Sequence, residues 1–73
     1  MLTRNEFYSH LIAKGCEVND FDGINRTANQ IEIINKKTGK YFYTATPIDD
    51  RLVESIVVER GCLRLGVPLP KKY

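Results

Sequence analysis

His10 is the single histidine of the chain, so any mechanism that needs an imidazole base must use it. It sits between Ser9 and Leu11, and no cysteine or carboxylate occupies positions 7, 11 or 14, which share its stretch of helix surface. Glu6, four residues earlier, could pair with a protonated His10, a surface contact that explains the residue without catalysis. Cys16 and Cys62 form no CxxC pair and have no histidine at ligand spacing, which argues against a zinc site. They read as buried reduced thiols that behave as small hydrophobes, with a single bridge as the alternative. Asp20 and Asp22 would share a strand face and could hold a metal or act as an acid/base pair, but they adjoin the Asp22-Gly23 turn signal, which accounts for both. No GxSxG, Walker or GxGxxG pattern is present, and enzymatic activity is not expected from these residues. No cofactor is implied.

A different constellation lies in Asn29–Thr46, which reads N-Q-I-E-I-I-N-K-K-T-G-K-Y-F-Y-T-A-T. Tyr41 and Tyr43 alternate along one strand beside Lys36, Lys37 and Lys40. Aromatic faces on an open sheet can stack unpaired bases while lysines neutralise phosphates. The same tyrosines would serve a protein interface, where a free strand edge can also pair. Packing of both rings under the helices is the third reading, and it follows if the strand presents its other face to the core.

The elements that would position these groups are legible from spacing. Thr3-Arg4-Asn5-Glu6 is a capping box, followed by Phe7, Tyr8, Leu11 and Ile12 at helical spacing and by Gly15 as a left-handed stop. This predicts a helix over 4–14, with Leu2 and Phe7 placed as a hydrophobic staple. Cys16 to Phe21 alternates as a short strand, and Ile24 to Ala28 reads as loop. Gln30-Ile31-Glu32-Ile33 alternates as a half-buried strand, and Lys36-Lys37-Thr38-Gly39 fits a four-residue hairpin loop with Gly39 at positive φ. That loop pairs Asn35 with Lys40, Ile33 with Phe42 and Ile31 with Thr44. It puts Ile31, Ile33, Phe42 and Thr44 on the core face and Gln30, Glu32, Ile34, Tyr41, Tyr43 and Ala45 on the other. A loop one residue longer or shorter would invert the second strand. Pro47 ends that strand. Asp49 or Asp50 then caps a helix over about 50–65, which Gly61 could loosen and which Gly66 and Pro68 stop.

These elements give a single α+β domain over 1–67, ordered α-β-β-β-α, with a three-stranded antiparallel sheet and two helices packed on one face. Residues 68–73 form an extended basic tail. A chain of 73 residues has room for one domain, and its small core makes it marginally stable. The first residues lack the pattern of a signal peptide and no apolar run reaches a membrane span, so a soluble, cytosolic protein with no membrane partner is expected. Net charge is +2, but it is unevenly spread. Residues 1–35 carry three basic and five acidic side chains, whereas residues 36–73 carry eight and four. The second half could face a polyanion, or the charges could simply be solvated.

The order of elements also resembles the HicA-like mRNA interferase toxins, whose fold is a small double-stranded-RNA-binding-domain-like α-β-β-β-α layout. T-R-N-E-F-Y-S-H-L-I-A-K-G-C-E-V is similar to that family's first helix, glycine and strand. N-K-K-T-G-K resembles its hairpin tip, and L-V-E-S-I-V-V-E-R-G-C its last helix. The resemblance implies RNA cleavage by a histidine at the start of the second strand, but the segment D-G-I-N-R-T-A-N-Q-I-E-I has none. No site residue of that family carries over, and Ile24, Asn25 and Arg26 cannot replace an imidazole base near neutral pH. The expected function is a non-enzymatic binding module for RNA or DNA through the open hairpin face, using Lys36, Lys37, Lys40, Tyr41 and Tyr43. A protein-interaction or homodimerisation module is the alternative, and a divergent ribonuclease using His10 a weaker one.

Overall fold

The structure, a computed structural model, describes residues 2–21, 28–47 and 49–71. The elements run α1 (Arg4–Ala13), β1 (Cys16–Phe21), β2 (Ala28–Asn35), β3 (Tyr41–Pro47) and α2 (Ser55–Leu65). The three strands form one antiparallel sheet in the order β1-β2-β3. The expected Asp22-Gly23 turn lies outside the described residues, whereas Ala28, read as loop, already belongs to β2.

α1 starts where its capping box dictates. The Glu6 amide donates to the Thr3 hydroxyl at 3.3 Å, and the Thr3 amide donates to the Glu6 carboxylate at 3.0 Å. Gly15 ends the element at φ 90°, a conformation that glycine adopts without steric cost. The hairpin register is the one its four-residue loop demands: the Asn35 amide donates to the Lys40 carbonyl at 2.8 Å, and Ile33 faces Phe42. Leu2, Phe7, Leu11, Cys16, Ile31, Ile33, Val53, Val58, Cys62 and Leu65 form the buried core. Both thiols are free and buried within it, and burial pushes each above the ordinary thiol range.

α2 departs from expectation at its start. It begins at Ser55 rather than near residue 50, and neither Asp49 nor Asp50 caps it. Residues 51–53 are held instead in extended form against the N-terminal segment. The Arg4 amide donates to the Arg51 carbonyl and the Val53 amide to the Leu2 carbonyl, each at 2.8 Å, with Thr3 and Leu52 bridging between them. Backbone groups used in this way cannot also close a helical turn. Asp50 serves the other helix, accepting from the Asn5 amide at 2.8 Å, and Asp49 pairs with Arg51. Once begun, α2 runs unbroken through Gly61. A Cβ at that position would lie 3.1 Å from the Phe42 ring and 3.4 Å from that of Phe7, so the glycine lets helix and sheet approach. The stop is a Schellman turn, with Gly66 at φ 70° and the Val67 amide donating to the Cys62 carbonyl at 3.0 Å.

Between Val67 and Lys71 the chain does not extend away from the body. Pro70 is buried, and the Pro68 carbonyl lies 2.7 Å from His10 Nε2. Among the described residues, no helix is long and apolar enough to cross a membrane.

Candidate nucleic-acid interface

The buried apolar side chains of the core lie on the helix side of the sheet, so the other face is open. Tyr41 and Tyr43 point out on it, 57% and 58% exposed, with their rings edge to face at a centroid distance of 5.3 Å. Packing of the two tyrosines beneath the helices is thereby excluded. The register sets Tyr41 beside Ile34 and Glu17, and Tyr43 beside Glu32 and Asn19. A hydrogen bond to the Glu32 carboxylate, followed by partial burial and the Glu32 charge, pushes the Tyr43 phenol above its ordinary value. The tyrosine face is therefore aromatic and mildly acidic in its middle.

The three hairpin lysines do not line that face together. Lys36 is exposed at the tip, where its amide donates to the Gly15 carbonyl at 3.2 Å. The Lys37 stem runs over Gly15, whose Cβ, if present, would lie 3.2 Å from Lys37 Cε. Lys40 reaches to Gly66, where a Cβ would meet its Nζ at 3.3 Å. Lys37 and Lys40 thus extend over the C-terminal ends of α1 and α2, the negative ends of the helix dipoles.

The fold gathers a larger basic set at this end than the hairpin alone supplies. Arg64 lies in the last turn of α2, whereas Lys14, the C-cap of α1, lines the groove beside Pro68 and Lys71. Thr38, Gly39, Lys40, Tyr41 and Arg64 line a shallow cleft of about 380 Å³. Asn35 fixes the geometry from beneath. It is 4% exposed, its Nδ2 donates to the Leu65 carbonyl at 2.8 Å, and its Oδ1 accepts from the Lys37 amide at 3.0 Å. Hairpin tip and α2 terminus are joined through this one side chain. Lys36, Lys37, Lys40 and Arg64 therefore lie at one end of the molecule, with Tyr41 at its border. Arg64 escaped the reading from sequence, because only the fold shows that α2 ends beside the hairpin tip.

His10 is placed elsewhere, in a groove of about 660 Å³ between α1 and the segment 68–71. Its Nε2 is engaged by the Pro68 carbonyl, so the imidazole has a structural partner in that groove. Among the described residues, no three His, Cys, Asp or Glu side chains are grouped to hold a metal.

No protein-family model, curated protein or solved structure matches the chain.

Proposed function

We propose that the chain is a small, non-enzymatic, cytosolic module that binds single-stranded nucleic acid at the basic end of its fold. The observation that carries the reading is the placement of Lys36, Lys37, Lys40 and Arg64 at the hairpin end, beside the exposed ring of Tyr41. Phosphates would lie along the cations, and an unpaired base would stack on Tyr41, whose free face a paired base could not reach. This moves the contact from the middle of the open face, where Glu32 beside Tyr43 opposes a polyanion, to the β3 side of its hairpin end, with Glu17 two strands away in the Tyr41 row.

Fluorescence anisotropy with a labelled single-stranded oligonucleotide tests the reading. Four phosphate contacts imply a slope of about −2.8 in log K against log salt, a loss of roughly 50-fold between about 50 and 200 mM salt. Lys36→Gln should lower the slope by about one contact's share, and Tyr41→Ala should cost about 1–3 kcal/mol with the slope unchanged. Absence of any anisotropy change at the lower salt, with tens of micromolar protein, would refute it. The Glu32–Tyr43 pair and the edge position of β3 favour a second reading, a protein-binding surface on the same sheet.

A further inference from the structure

The outer edge of β3 has the composition of a strand that accepts another. Sheet edges are ordinarily guarded by charged side chains, bulges or proline. β3 reads Y-F-Y-T-A-T-P and carries no charge, and its pairing with β2 runs from Tyr41 to Pro47 without a bulge. β1, the other edge, carries Glu17 and Asp20. Among the described residues, no strand pairs with the outer side of β3.

The backbone groups on that side can be assigned. Asn35 and Lys40 are a hydrogen-bonded pair, since the Asn35 amide donates to the Lys40 carbonyl. Hydrogen-bonded pairs recur at every second residue of an antiparallel ladder, so Phe42, Thr44 and Thr46 also turn their amides and carbonyls toward β2. Those of Tyr41, Tyr43 and Ala45 then face outward as a ladder of three donors and three acceptors.

Two clefts flank this ladder. One, of about 380 Å³, lies at the Tyr41 end and is lined by Lys40 and Arg64. The other, of about 490 Å³, lies at the Pro47 end between Thr44, Thr46, Leu52 and Val57, with Arg51 and Glu54 also lining it. Two cations without a carboxylate at one end, and apolar side chains with one charge of each sign at the other, give the edge a direction. We infer that β3 accepts an extended peptide strand that carries an acidic side chain toward Lys40 and Arg64 and apolar side chains toward Leu52 and Val57. Antiparallel pairing is the more stable geometry, and it sets the spacing. Side chains opposite Thr46, Thr44 and Lys40 share the helix side of the sheet, so the two apolar residues are two apart and the acid follows four after the second. It shares Lys40 and Arg64 with the nucleic-acid reading but does not rest on it, and its test contains no nucleic acid.

The probe is a blocked synthetic decapeptide of threonines with leucine, valine and glutamate at that spacing, titrated into isotope-labelled protein and followed by amide NMR. The expected result is saturable shifts and slowed exchange at the amides of Tyr41, Tyr43 and Ala45. Replacing the peptide's glutamate by lysine should weaken binding by about tenfold, and Arg64→Glu should reverse that preference. Tyr43→Pro, which removes the central outward amide, should abolish binding without altering the far-ultraviolet spectrum, and Ala45→Pro serves if that variant does not fold. No shift at those amides at about 1 mM peptide, or equal affinity for the acidic and basic peptides, would overturn the inference. So would self-association of the chain alone that perturbs the same three amides, which would assign the edge to a second copy.

Discussion

Asn35 gives the sharpest test of how the basic end is built. Its side chain is buried and ties the hairpin to the α2 terminus, donating to Leu65 at 2.8 Å while accepting from Lys37 at 3.0 Å. Asn35→Ala removes both bonds and leaves the Leu65 carbonyl without this donor. A buried group left unsatisfied costs about 1–3 kcal/mol, and the more exposed Lys37 amide adds up to about 1 kcal/mol. The expected total is about 1–4 kcal/mol, which for a domain of this size lowers Tm by about 4–30 °C. Asn35→Asp separates the two bonds. The carboxylate still accepts from Lys37, but it sets an ionised oxygen against the Leu65 carbonyl, so at neutral pH it should be at least as destabilising as alanine. Burial and the facing carbonyl would raise the folded pKa of that Asp above its unfolded value of about 3.9. The folded state then binds the proton more tightly, so the penalty is full at neutral pH and shrinks as pH falls through the raised value. Urea denaturation of both variants at pH 7 and pH 4 measures this, each compared with the parent protein at the same pH. A cost below about 0.5 kcal/mol for Asn35→Ala, or an Asp variant whose deficit relative to the parent does not narrow at the lower pH, would refute the reasoning.

Gly61→Ala should lower stability by up to about 2 kcal/mol, because a contact at 3.1 Å to Phe42 and 3.4 Å to Phe7 outweighs the roughly 1 kcal/mol gained in helix propensity. Thermal melts in a Phe42→Leu background should show the deficit removed. Tyr8→Phe deletes a 2.6 Å bond to the buried Thr46 hydroxyl and should cost about 1 kcal/mol by urea denaturation. Cys16 and Cys62 are held above the ordinary thiol range by burial, so the folded state keeps their protons longer than the unfolded chain. Stability should therefore fall as pH rises past about 8.5, and a thiol reagent should react with the native protein only at the rate of its opening.

Much of this fold is written locally. The capping box at Thr3, the alternation around Ile31 and Ile33 and the four-residue loop before Lys40 each specify their own element, and the loop length alone decides that Tyr41 and Tyr43 point outward. The start of α2 is not local. Asp49 and Asp50 have the composition of a helix cap, but Arg51 and Val53 commit their backbone groups to Arg4 and Leu2, about fifty residues away in sequence. Gly61 illustrates the same limit in reverse. Its intrinsic propensity suggests a weak point, whereas the proximity of Phe42 makes it the residue that permits close packing. The candidate site was half legible for a related reason. The tyrosines share a strand and declare their face, but the direction of each lysine depends on which helix end lies beneath it.

That dependence separates two explanations for the lysines. Lys37 and Lys40 extend over Gly15 and Gly66, where positive charge offsets the negative ends of α1 and α2, and an effect of about 0.3–1 kcal/mol each would account for them without any ligand. Lys36 plays no such part. It is exposed at the tip, where its backbone amide is engaged by the Gly15 carbonyl. Lys37→Gln and Lys40→Gln should therefore lower both stability and polyanion affinity, whereas Lys36→Gln should lower affinity alone. If all three leave affinity unchanged while the first two still reduce stability, helix-end compensation is sufficient, and the basic end is a consequence of two helices terminating at one hairpin.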